Sequence, residues 1–250
     1  MSEPRFLLLQ VRPEDGPRER EHASMRAATG LGDRLDALRI DVDELPPDLL
    51  DRYAGILAGG SPYNVTDPES RKPEAQRNAE RRLARVAELA LERNHPAFFT
   101  CYGIGVLTRV LGGVVDREHP ERVSATENRL TSAGAADPVA GALPSRFFAL
   151  TGHKEGVPEL PAGATLLATN DVCPVQLYRV GKVLASQFHP EPTTQDFVDR
   201  ATAYSGYGYF PDSELATIAA EVLRAEITEP RKLLQRFVAE AVQPSPEPPA

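Results

Sequence analysis

The sequence predicts an α/β fold on a mostly parallel central sheet. Short apolar runs of strand length alternate with longer, often amphipathic, connections. Strand, helix, strand, helix in that order is the signature of an open sheet with right-handed crossovers. Several of the runs also end directly on glycine-rich turns, the usual punctuation between such elements.

The first run, residues 6–12, is continuously apolar, as expected of a strand buried on both faces. Residues 13–33 are polar and predict a helix. A second strand is expected near Leu35–Val42, before the turn signal Leu45, Pro46, Pro47. A third, residues 53–58, runs straight into Gly59, Gly60, Ser61 and Pro62. From about Pro73 to Arg93, Ala79, Leu83, Val86, Ala87, Leu89, Ala90 and Leu91 recur among Arg and Glu residues, the stripe of an amphipathic helix. It stops at Asn94, His95 and Pro96. Residues 97–101 read as a strand and 102–111 as a helix closed by Gly112 and Gly113.

The second half reads differently. Residues 174–180 and 183–188 are strand-like and joined by Gly181 and Lys182, a hairpin signal. Helical patterns follow at about 195–204, 213–226 and 231–242. With no linker-like stretch before residue 240, one domain is expected over residues 1–242, its C-terminal helical extension covering about 195–242. The Pro-rich segment 243–250 is expected to be a frayed tail.

Composition narrows the function classes. Of 250 residues, 41% are hydrophobic and 26% charged, which places the chain among folded domains rather than disordered or fibrous ones. Net charge is −8, with scattered basic residues, a poor surface for nucleic acid. No apolar run approaches the ~20 residues needed to cross a bilayer. The first ten residues lack the basic region and cleavage site of a signal peptide, so a cytoplasmic protein is expected. Two cysteines, Cys101 and Cys173, are too few for a disulfide scaffold and lack zinc-site spacing. No metal and no cofactor is expected.

Cys101 ends a predicted strand, with Gly103 and Gly105 just beyond it where a helix begins. Such a turn exposes a nucleophile, and a helix N-terminus favours the thiolate. The alternative is a buried cysteine closing a core strand. His189 and Glu191 lie at the exit of the second hairpin strand, where alternation puts both on one face. An imidazole that takes the thiol proton and a carboxylate that orients it are what a Cys–His pair requires. Gly59, Gly60 and Ser61 offer unobstructed backbone N–H groups suited to an oxyanion hole, or form an ordinary turn.

Four segments together, residues 56–62, 100–105, 151–157 and 186–191, resemble the ordered landmarks of class I (triad) glutamine amidotransferases. The similarity is closest to the amidotransferase domain of guanosine monophosphate synthetase and its free-standing relatives, and covers roughly residues 5–192. The resemblance implies a flavodoxin-like three-layer α/β/α sandwich. It implies that Cys101 attacks the side-chain amide of glutamine to form a γ-glutamyl thioester, that His189 is base and then acid, and that Glu191 orients it. Backbone N–H groups of Gly60 and Tyr102 would hold the oxyanion. Gly59, Ser61, Gly105, His153 and Glu155 would line the substrate site.

The family usually carries Gly two positions before the nucleophile and Gln four after it, where this chain has Phe99 and Gly105. That Gln helps hold glutamine, and Gly105 would leave space for a larger γ-glutamyl substrate. The leading expectation is a glutaminase that releases ammonia to an acceptor on a synthetase subunit in trans, with no nucleic acid or membrane partner. A stand-alone γ-glutamyl peptidase is the first alternative, and a catalytically idle regulatory subunit the second. Cys173 is expected to be structural, and His22, His95 and His119 solvent-facing or uninformative. Tyr204, Tyr207, Tyr209 and Phe210, with Gly206 and Gly208, are expected to pack the C-terminal helices on the sheet, or else to form a lid.

Overall fold

The computed structural model describes residues 3–243. Positions 244–250 of the expected tail lie outside the described residues. Nine strands form one sheet in the order β2-β1-β3-β4-β9-β8-β7-β5-β6. Its first half is β1 (Phe6–Gln10), β2 (Leu35–Arg39), β3 (Gly55–Ala58), β4 (Ala97–Thr100) and β9 (Val183–Ser186), all parallel to their neighbours. The second half, β5 (Glu121–Leu130), β6 (Arg146–His153), β7 (Thr165–Thr169) and β8 (Leu177–Val180), pairs antiparallel. Only β5 and β8 run against the common direction, so the sheet is mostly parallel, as the sequence predicts.

The three layers follow from alternation along strands buried on both faces. In β1, Leu7 and Leu9 join the apolar cluster under α3 (Glu74–Glu92) and α4 (Tyr102–Val110), whereas Phe6 and Leu8 join the cluster under α1 (Asp15–Thr29) and α8 (Pro230–Ala241). Phe99 and Phe98 in β4 divide the same way. The C-terminal extension is part of this packing. Phe237 of α8 sits edge-on to Phe6 and Phe98, with ring centroids 6.4 and 5.6 Å apart. The helices α6 (Thr194–Ala203) and α7 (Leu215–Arg224) cover β5 and β6 through a third cluster that includes Leu150, Phe197 and Val222.

The sequence reading contains none of β5, β6 and β7. The reason is physical. Buried Glu121 and Asn128 interrupt the apolar alternation of β5, and Phe148 of β6 is exposed. Smaller departures occur at histidines: His22 is half-buried with Nε2 3.0 Å from the Leu35 carbonyl, and His95 is half-buried as well. No helix among the described residues is long and apolar enough to cross a membrane.

Candidate active site

Three parallel strands deliver the candidate residues to one end of the sheet. Gly59 and Gly60 follow β3, Cys101 follows β4, and the chain past β9 carries His189 and Glu191. The carboxyl ends of parallel strands are where open α/β sheets place their sites.

Cys101 adopts φ +51° and ψ −102°, a backbone region that non-glycine residues rarely occupy. The turn is held from both sides, by the Cys101 N–H donating to the Ser186 carbonyl at 2.8 Å and by Ile104 N–H donating to the Cys101 carbonyl at 3.1 Å. Gly103 suits the tight turn, because a Cβ there would press on Phe99 Cβ at 3.0 Å. Over-determined strain of this kind clusters at functional sites. The Tyr102 N–H belongs to the first turn of α4, whose N–H groups have no partner within the helix. Its phenol points away, donating to Glu80 at 2.8 Å.

His189 is pinned by its N–H donating to the Leu150 carbonyl at 2.8 Å, and its ring lines the same cavity as Cys101, close enough for the two to interact electrostatically. Nδ1 lies 3.0 Å from Glu191 Oε1, which leaves Nε2 for the sulfur. Glu191 is fully buried. Burial works against its charge, but His189 and Arg200 hold its carboxyl well below the usual carboxylate range. For His189, burial opposes protonation, while Glu191 and Cys101 outweigh it and raise the ring above its ordinary value. The arrangement can take a proton from a thiol, keep the resulting imidazolium paired, and return the proton to a leaving group.

The remaining candidates are placed around Cys101, several with their polar groups already engaged. Gly60 N–H donates to Oε1 of buried Glu21 at 3.2 Å, and Glu21 in turn accepts from Arg12 Nε at 2.8 Å. Gly59 fits because a Cβ there would lie 2.3 Å from Glu21 Oε2. Ser61 donates through Oγ to the Val11 carbonyl at 3.3 Å. Glu155 accepts from Val65 N–H at 2.7 Å and Thr66 N–H at 3.0 Å, tying that loop to the end of β6; its carboxyl is raised by burial, partly offset by these bonds.

His153 lines a cavity together with Cys101, and both of its ring nitrogens are engaged in a buried network. Nδ1 donates to the Glu155 carbonyl at 2.8 Å, and Nε2 lies 2.7 Å from Glu121, which also accepts from Asn170 at 2.8 Å. Glu121, His153 and Cys173 bring one potential metal-ligating atom each within 4.8 Å of one another, but the carboxylate and imidazole are satisfied by protein partners. Gly105 does not open space: a Cβ there would meet Val65 Cγ2 at 3.1 Å.

The segment between α6 and α7 crosses over the site. Gly206 and Gly208, at φ +82° and +80°, allow the crossing. Tyr209 donates to the Ser61 carbonyl at 3.4 Å, and Lys154 sits 4.4 Å over its ring while donating to the Tyr207 carbonyl at 2.9 Å. Tyr209 separates two narrow cavities that both reach Cys101. One is lined by Arg12, His189, Phe197 and Arg200, the other by Tyr102, Gly105, Lys154, Glu155 and Gln187. Tyr209 and Phe210 thus pack in the cluster that joins α6 and α7 to the sheet, as the sequence reading expects, and Tyr209 also lines both cavities at Cys101.

Arg12, Glu21, Lys154 and Arg200 are absent from the residues singled out by sequence. For Arg200 the available signal is an arginine on the inward face of the amphipathic helix that directly follows Glu191.

The chain is an α/β protein with a strained cysteine elbow at the carboxyl end of a mostly parallel sheet, beside a paired histidine and glutamate. The family description "Glutamine amidotransferase class-I" matches residues 22–201, and the chain belongs to that family. A GMP synthase (glutamine-hydrolysing) of Aeropyrum pernix is 32% identical over 145 residues, covering 58% of this chain and 25% of that protein. The chain therefore spans about a quarter of that relative's length. Gamma-glutamyl peptidase 3 of Arabidopsis thaliana is 26% identical over 182 residues, covering 68% of each. Among solved structures, a glutamine amidotransferase from Thermotoga maritima superposes with a TM-score of 0.71 at 18% identity, covering 97% of this chain and all of that one.

Proposed function

We propose that the chain hydrolyses the side-chain amide of L-glutamine through a thioester on Cys101 and passes the ammonia to an acceptor on a partner chain. The observation that carries this reading is the placement of Cys101 in one cavity with His189, whose Nδ1 lies 3.0 Å from Glu191 Oε1. The thiol proton moves to His189 Nε2 as sulfur attacks the amide carbon. The oxyanion is received by the Tyr102 N–H and, after the Gly59–Gly60 peptide turns from Glu21, by the Gly60 N–H. The C–N bond breaks as His189 returns its proton to nitrogen, and ammonia leaves. A water deprotonated by His189 then cleaves the thioester to glutamate and restores the thiol. Glu155, Ser61, Gly59 and Gly105 shape the glutamyl cavity, and His153 braces it from behind.

A second reading, a stand-alone γ-glutamyl peptidase, is favoured by the second cavity at Cys101, which gives a larger leaving group a place on the His189 side. The equal coverage of the Arabidopsis peptidase supports it too. The test is ammonia and glutamate release by the purified chain from L-glutamine and from a panel of γ-glutamyl dipeptides, with Cys101→Ala alongside. Glutamine turnover lost in Cys101→Ala supports the first reading, preference for dipeptides the second. Turnover that survives Cys101→Ala sinks both.

A further inference from the structure

The Nδ1 of His189 has one in-plane position, which holds either a proton or a lone pair. Two groups claim it. Glu191 Oε1, 3.0 Å away, is ionised and can only accept; Arg200 Nη1, 3.1 Å away, can only donate. Arg200 also donates through Nη2 to the same Glu191 oxygen at 2.9 Å. With the proton on Nδ1, Glu191 Oε1 accepts it and the lone pair is left on Nε2. With the proton on Nε2, Nδ1 accepts from Arg200 and the ring cannot take the thiol proton.

We propose that Arg200 is a positioning residue which, by competing with Glu191 for Nδ1 of His189, governs how much of His189 stands ready to act as base. This rests on the reading of Cys101 and His189 as nucleophile and base. The geometry is built rather than incidental. Arg200 is 7% exposed, and the helix that carries it is registered at its start by a reciprocal cap between Thr193 and Asp196. A guanidinium is suited to the place because its planar fork reaches the carboxylate and the ring at once.

Other titratable or charged groups face the ring elsewhere. Cys101, at the head of α4, lines the cavity that His189 borders. Arg12, after β1, approaches the Cε1 edge across Gly60 and is paired with Glu21 of α1. Tyr204 and Tyr209 close the same cavity from above, and Arg231 of α8 donates to the Glu191 carbonyl at 3.3 Å. Among the described residues, only Glu191 and Arg200 hydrogen-bond to Nδ1.

The cation of Arg200 opposes protonation of His189, so removing it stabilises the imidazolium. The test follows the 15N resonances of His189 in the intact chain without substrate, assigned by their loss in His189→Asn, alongside the pH dependence of Cys101 alkylation. In Arg200→Met the His189 midpoint and the alkaline limb of alkylation are expected to rise by about one pH unit or more, and Arg200→Lys to restore most of the wild-type profile. In the unmodified protein Nδ1 should show substantial unprotonated character between its two partners. Two results overturn the proposal: an Nδ1 that is fully protonated from about pH 6 to 9, or folded Arg200→Met and Arg200→Lys variants that both titrate as wild type. The first needs no variant to fold. All are read without substrate, so failure of every γ-glutamyl compound to turn over would sink the functional reading and leave this result standing.

Discussion

Replacing Gly60 by Ala places a methyl group where the site has no room for it. The added Cβ would lie 2.8 Å from Arg12 Nη2, 2.8 Å from His189 Cε1 and 3.5 Å from Cys101 Cβ. Ordinary contacts for such atoms begin near ~3.5 Å, so something must move by about 0.7 Å. Neither neighbour gives easily. His189 is held by Leu150 and Glu191, and Arg12 by Glu21 and by Tyr204 at 3.2 Å. Overpacking of this kind costs about 1–3 kcal/mol, which in a chain of this size lowers the melting temperature by roughly 2–10 °C. If His189 shifts, misplacement approaching 1 Å costs about a hundredfold in rate. The assay pairs a thermal melt with kcat/KM on the best γ-glutamyl substrate, and with the rate of Cys101 alkylation. Gly16→Ala is the control, since its Cβ meets only Arg20 Nη2 at 3.7 Å in the first turn of α1. Gly60→Ala with wild-type melting and wild-type rates would refute the packing described around Cys101.

Two further predictions concern the cysteines and the C-terminal helix. Iodoacetamide at neutral pH should label Cys101, which lines both cavities, well before Cys173, which is fully buried and whose thiol burial pushes up to about 12; equal labelling of both in the folded protein would contradict the placement of Cys173. Phe237→Ala should cost about 3–5 kcal/mol by chemical denaturation, because the ring fills the space between Phe6 and Phe98, and a loss under about 1 kcal/mol would mean that α8 is not integral to the core.

The strands at the centre of the sheet were legible because burial on both faces leaves a continuous apolar run, as in β1 and β4. The hairpin of β8 and β9 was legible from its two-residue glycine turn. The antiparallel half was not. Buried Glu121 and Asn128 of β5 both accept from Asn170, just past β7, and no local pattern announces a partner that lies tens of residues away. At the site, the Cys101 elbow is encoded locally, since Gly103 and the strand-to-helix switch are sequence features. The engagement of Gly60 by Glu21, 39 residues earlier in the chain, is not. Arg200 shows the same limit from the other direction, because its place on a helix could be read but the carboxylate and imidazole it reaches could not.

The sequence by itself determined the fold class and the order of the central elements, because strand periodicity and tight glycine turns are short-range properties of the chain, and it singled out Cys101, His189 and Glu191 as candidates. Tertiary structure alone decided which of the expected groups are free and which are committed. It turned His153 toward Glu121, closed the space beside Gly105 with Val65, laid Tyr209 over Cys101 and brought Arg200 to the histidine. Each of these is a contact between elements distant in sequence, made where buried polar groups must find partners and buried volume must be filled.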